Sequence, residues 1–167
     1  MKKITLLILF LGLFSTSSLC LANEAYFGAS VGESGTSLNG YNKPLGYKAF
    51  LGAHINDRFG IELGLVNLGE FKRNSTRFEL TGIEISAVGF IPVGSNGNLF
   101  AKIGLFNWDI DYPGGASTDG SDVTIGIGVQ LPISGNTLFR FEYQEFRDID
   151  ASNVDFTLLS IGLALAF

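Results

Sequence analysis

The chain has 167 residues, a formal charge of −5 at pH 7, 22 glycines, 15 phenylalanines and only 16% charged residues. That length holds one domain, and its acidity speaks against a nucleic-acid partner, which requires a basic face.

The first twenty or so residues read as an export signal. Met1-Lys2-Lys3 is a short basic start, ITLLILFLGLF (4–14) is an apolar run, and STSS (15–18) is small and polar. That run is too short to span a bilayer, and the layout is that of a secretory signal peptide. Cys20 raises a lipid-attachment reading, but Leu19 before it is too large for one, so ordinary cleavage after Ala22 is expected. The expected division is a signal peptide over 1–22 and one domain over 23–167. Losing Lys2 and Lys3 leaves 9 basic against 16 acidic residues, a charge of −7, and losing Cys20 leaves no cysteine for a disulfide. Beyond residue 22 no apolar stretch approaches the ~18 residues of a membrane helix.

From there the chain alternates apolar and small or polar residues with period two. Eight strands are expected over 25–33, 46–55, 60–69, 78–91, 99–108, 122–131, 137–146 and 156–167, most near the ~9–11 residues that cross a hydrocarbon layer at a tilt. Short turns fall at 56–59, 92–98 and 132–136. Longer polar loops fall at 34–45, 70–76, 109–121 and 147–155. Short turns at one rim and longer loops at the other suit an all-β, eight-stranded antiparallel up-and-down barrel.

Splitting the strands by parity gives two faces. One carries Leu51, Ile61, Leu65, Ile85, Ile103, Ile127, Phe141 and the tail residues Leu159, Ile161, Leu163, Leu165 and Phe167, without a charge. The other carries glycines such as Gly28, Gly64, Gly126 and Gly162 among Ser86, Thr124, Gln144 and Ser160. A water-exposed strand face gains nothing from bare backbone, whereas the interior of an eight-stranded barrel is cramped and needs small residues. The apolar face therefore points outward into lipid, which argues against a soluble ligand-binding barrel. Closure satisfies every strand's backbone groups, as a bilayer demands.

The small face also holds Lys48, Lys102 and Arg140 against Glu62, Glu84 and Glu142. Three of each sign is the balance a largely closed interior requires, because an unpaired buried charge costs several kcal/mol. Phe50, Phe90, Phe100, Phe106 and Trp108 share this face and would fill much of the lumen, Trp108 near the outer rim. Tyr26, Tyr47, Phe59, Phe71, Phe78, Tyr143 and Phe146 lie near strand ends, where interfacial aromatic girdles are expected.

Little here points to chemistry. His54, the one histidine, falls on the inward face at the short-turn end of its strand, far from the outer leaflet. No serine or carboxylate can be placed beside it to make an activated nucleophile. Asp109, Asp111, Asp119, Asp122, Asp148, Asp150 and Asp155 lack the spacing of a calcium loop and read as solvated loop residues. Asn74-Ser75-Thr76 matches a glycosylation acceptor but carries little weight, and no glycine pair forms a phosphate-binding loop. No cofactor or metal is expected.

Three stretches resemble the small outer-membrane barrels grouped around the transmembrane domain of outer membrane protein A (OmpA-like and OmpX-like proteins). They are GIELGLVNLGEF (60–71), LFRFEYQEFRDID (138–150) and NVDFTLLSIGLALAF (153–167); LFAKIGLFNWD (99–109) is similar too. The resemblance implies an eight-stranded barrel in a Gram-negative outer membrane, with Glu62 and Arg140 in an internal salt-bridge network. It also implies that Phe167 forms part of the signal read by the barrel-assembly machinery, although Leu165 stands where many relatives carry a further aromatic. The peptidoglycan-binding domain of larger members does not follow Phe167 here, so cell-wall tethering is not carried over.

The expected function is a non-enzymatic structural or surface-interaction barrel displaying four extracellular loops. Its partners would be outer-membrane lipid and lipopolysaccharide, with the assembly machinery during biogenesis, and it would be a monomer. The alternatives are a narrow pore for ions or small solutes and, further off, an enzyme that modifies lipid A.

Overall fold

Strands whose side chains alternate between a small and a large apolar set cannot lie flat in lipid, because an open edge would leave backbone groups unpaired. In the computed structural model, which describes residues 24–94, 97–149 and 154–167, that edge is removed by closure. The signal segment lies outside the described residues. Eight strands run in chain order: β1 (Glu24–Thr36), β2 (Leu45–Asn56), β3 (Phe59–Arg73), β4 (Thr76–Val93), β5 (Gly97–Asp111), β6 (Ser117–Ser134), β7 (Thr137–Ile149) and β8 (Val154–Ala166). Each pairs antiparallel with the next, and β1 pairs with β8 from Tyr26↔Ala166 to Thr36↔Phe156. At the seam Phe167 and Ala25 exchange two backbone hydrogen bonds, of 2.8 and 3.1 Å.

The strands are longer than the sequence pattern suggests. β4 and β6 each have 18 residues, nearly twice what the hydrocarbon layer requires. The expected loop at 70–76 is instead strand, closed by a two-residue turn at Asn74–Ser75 between paired Arg73 and Thr76, with Asn74 at φ +52°. Likewise Asp109, Asp111 and Asp119 stand in strands, and the connection between β5 and β6 shrinks to 112–116. The β1–β2 connection shortens as well, to 37–44, and the loop expected at 147–155 overlaps the ends of β7 and β8, its residues 150–153 lying outside the described residues. Polarity alone suggests a loop there because strand ends above the membrane face water. On the outer wall the apolar side chains give way to Asn67, Thr81, Asn107 and Ser121, and the hairpins continue as a paired crown.

One irregularity redirects side chains. Between Asn67 and Glu70 the β3–β4 register shifts, and Gly69 sits at φ +81°, a bulge that the Asn67 side chain braces by accepting the Gly69 N–H at 2.7 Å. A bulge inserts one residue and flips the parity beyond it. Leu68 points inward with the other even positions of β3, and beyond the bulge so does Phe71, three positions later.

Inside, aromatic rings lie over glycines on the neighbouring strand: Phe50 over Gly28, Phe100 over Gly128, Trp108 over Gly120 and Tyr26 over Gly52. A Cβ at any of these glycines would overlap the ring. The glycines are thus the counterpart of the large side chains that fill the lumen.

Candidate functional site

The lumen is built in three tiers. The lower tier, at the short-turn rim, packs Tyr26, Phe50, Val88, Phe90, Phe100 and Ala164. The upper tier is larger and includes Val66, Leu68, Phe71, Phe78, Leu80, Phe106, Trp108, Phe146 and Phe156. Between them lie the six acidic and basic residues singled out in the sequence, each with at most 1% of its side chain exposed.

These six residues form one connected cluster. Lys102 Nζ lies 2.6 Å from Glu84 Oε1, 2.7 Å from Glu142 Oε1 and 3.3 Å from Glu62 Oε1. Lys48 Nζ, from the opposite wall, lies 2.7 Å from Glu142 Oε2 and within 4 Å of Glu84 and Glu62. Arg140 donates from Nη1 and Nη2 to the two oxygens of Glu62, at 2.6 and 3.2 Å, and from Nε to Glu142 Oε2 at 3.0 Å. Its guanidinium also stacks 4.2 Å from the Phe100 ring centre and 4.5 Å from that of Phe50, so the lower tier caps the charge layer with π faces.

Neutral groups complete the layer. Tyr26 donates its hydroxyl to Glu62 Oε2 at 3.2 Å. The Gln144 amide donates to Glu84 Oε2 and to Thr124 Oγ1, and its carbonyl oxygen accepts from Lys48. Gln144 and Thr124 are legible from parity; Tyr26 was missed because a strand-end aromatic suggests the interface. A cluster this dry is tolerable because its charges cancel and its lone pairs are used.

The seven strand-end aromatics divide. Tyr47, Phe59 and Tyr143 point outward and are well exposed to the lipid side. Tyr26, Phe71, Phe78 and Phe146 are corrected: all four are buried in the lumen. Tyr26, Phe78 and Phe146 have the parity of the inward set, and Phe71 is turned in by the Gly69 bulge. His54 is half-buried, its ring 4.4 Å from Phe90 and 5.5 Å from Tyr26. Asp122 is also not a loop residue: it accepts the Trp108 indole N–H at 2.8 Å.

At the crown, loop 37–44 docks on β3. Asn42 donates its N–H to the Lys72 carbonyl at 3.1 Å and accepts the Lys72 N–H on Oδ1 at 2.5 Å. Lys72 and Arg77 pair across β3–β4 and both reach Glu70, Lys72 Nζ at 2.8 Å and Arg77 Nε at 3.8 Å, while Arg73 lies over the Tyr41 ring. Glu33, 2.8 Å away, holds the Lys43 ammonium above the ordinary lysine range. Glu79, Asp109, Asp111 and Asp119 face outward on the adjoining strands.

A closed antiparallel barrel with an apolar belt and an interior filled by aromatic rings and paired charges defines a transmembrane β-barrel. The chain belongs to the outer membrane protein beta-barrel domain family, whose model matches residues 6–167, and its place is the outer membrane. It is 29% identical to outer membrane protein A of Serratia marcescens over 178 residues, which cover 87% of this chain and 50% of that protein. It is 26% identical to the Klebsiella pneumoniae protein of the same name, over 75% of this chain and 42% of that one. The chain thus spans about half the length of these relatives. Among solved structures it resembles Ail, the attachment invasion locus protein of Yersinia pestis, determined with the heparin analogue sucrose octasulfate. The TM-score is 0.63 and the identity 16%, over 86% of this chain and 98% of that one. The N-terminal barrel of Pseudomonas aeruginosa OprF gives a TM-score of 0.63 at 13% identity, over 87% and 98% of the two chains. Neisserial surface protein A gives 0.60 at 20%, over 86% and 96%.

Proposed function

We propose that this protein is a non-enzymatic outer-membrane scaffold whose barrel holds a stiff extracellular crown in place for surface interactions. The observation that carries this reading is the double seal: hydrophobic tiers close the lumen above and below a fully paired charge layer. A passage for ions would have to break aromatic packing twice and separate several ion pairs at once. With the lumen filled, the crown is the water-facing part, where recognition on a rigid frame is expected. Anionic surface ligands suit the exposed cations of the crown, of which Lys43 is shared with Glu33, Lys72 and Arg77 are shared with Glu70, and Arg73 lies over Tyr41; the Ail complex with a sulfated sugar is a precedent on this fold. Lipid and lipopolysaccharide would surround the belt, the assembly machinery would read Phe167, and the barrel would act as a monomer.

Planar-bilayer conductance of the refolded protein tests the reading. Silence in the wild type, Glu62→Ala and Arg140→Ala is expected. Steady channels in the wild type would replace the scaffold with a narrow pore. A change in lipid A mass on overexpression, abolished by His54→Ala, would replace it with an enzyme.

A further inference from the structure

On the lipid-facing wall, Phe59, Gly89, Ala101, Ile127 and Tyr143 form one cross-strand row from β3 to β7, each paired with the next. The row below it is Ile91, Leu99, Val129 and Phe141. Gly89 and Ala101 lack the bulk of their neighbours, and the wall dips there into a groove of about 700 Å³. Four strand spacings of ~4.8 Å make the row about 19 Å long, comparable to an extended long acyl chain. Because strands in such barrels tilt, a cross-strand row climbs obliquely from the short-turn rim toward the outer leaflet.

Gly89 has no reason of its own to be glycine. Its φ is not positive, and a Cβ there would meet only the Ala101 carbonyl oxygen, at 3.9 Å. An interior strand position disfavours glycine and often marks the close approach of another molecule. At the groove's lower end stands Arg58, in the β2–β3 turn. Its N–H donates to Asn56 Oδ1 at 2.9 Å and its carbonyl accepts from Phe90 at 2.8 Å, so its backbone is pinned from both sides. Among the described residues its guanidinium makes no ion pair.

We propose that this groove seats one acyl chain of an inner-leaflet glycerophospholipid whose phosphate is held by Arg58. A chain in a bilayer is already in hydrocarbon, so burial alone gains little. Selective retention comes from close packing over Gly89 and Ala101 and from the charge-assisted grip of a guanidinium on phosphate.

Native mass spectrometry of the full barrel, refolded in detergent and titrated with dioleoylphosphatidylglycerol, tests the proposal. The expected result is one retained lipid per barrel in the wild type and in Ala29→Leu, which adds the same bulk on the wall outside the groove. Gly89→Leu and Ala101→Leu should retain at least about tenfold less, and Arg58→Gln about tenfold less, the loss of one charge-assisted contact. Dioleoylglycerol, without phosphate, should not be retained. Heat-modifiable migration on gels checks that each variant is folded. Equal retention by the wild type and Gly89→Leu would overturn the proposal, as would a Gly89-dependent barrel dimer in place of a lipid adduct.

Discussion

Arg140 and Glu62 meet as a two-pronged pair, Nη1 to Oε2 at 2.6 Å and Nη2 to Oε1 at 3.2 Å, with the guanidinium face laid on Phe100. Both side chains are out of reach of solvent, so neither charge has water to fall back on. Glu62→Ala should therefore destabilise the barrel by about 3–5 kcal/mol, the cost of an orphaned buried charge. Glu62→Met combined with Arg140→Met, which keeps the lumen neutral, should cost clearly less than the sum of the single changes. Urea unfolding in lipid vesicles, read as a double-mutant cycle, measures the coupling; additive effects would contradict a shared pair.

Two glycines should respond oppositely to alanine. Gly69 sits at φ +81° with the Leu45 carbonyl oxygen 2.6 Å from where a Cβ would lie. Gly69→Ala should cost about 1–3 kcal/mol through backbone strain and loosen the packing of Phe71 below the crown. Gly89→Ala, with open space and ordinary strand backbone, should be neutral or stabilising by up to ~1 kcal/mol. Unfolding midpoints of both variants check the pair of signs.

Breaking one seal should not open the lumen. Trp108→Ala removes a large part of the upper tier yet leaves Phe50, Phe90 and Phe100 in place below the charges. Phe100→Ala does the reverse. Each should lower stability by about 3–5 kcal/mol while bilayer recordings stay silent. Conductance from either single variant would show that one tier alone carries the seal.

The exposed cations of the crown should bind polyanions in a salt-dependent way. Arg73→Ala together with Arg77→Ala should weaken sucrose octasulfate binding, and raising ionic strength should do the same to the wild type, because these charges are exposed and screened. Titration calorimetry at two salt concentrations distinguishes this from no binding at all.

Strand count, order and the facing of most side chains were legible because period two is a direct imprint of the pleat, and glycines on one face identify the tight side. The six lumen charges were legible for the same reason. Their partners were not, since contacts such as Lys48–Glu142 join β2 to β7 across the lumen and depend on barrel shear. The crown was misread because polarity marks contact with water, which a strand above the membrane shares with a loop. Tyr26, Phe78 and Phe146 show the opposite error: their parity pointed inward, but their place near strand ends was given more weight. Phe71 needed the bulge, and a lone glycine in a strand such as Gly69 is its only local sign.

The β1–β8 seam also governs how the barrel forms. Tyr26 pairs with Ala166 and Thr36 with Phe156, so the contact that closes the cylinder joins the two ends of the described sheet. Until it forms, both edges offer unpaired donors and acceptors to any other chain. Every hairpin is local, but the closing contact has nearly the greatest loop to bring together, which slows its formation. Closure is therefore the long-range step of assembly, and a chaperone that shields β1 and β8 until they meet would protect the two edges that no hairpin covers.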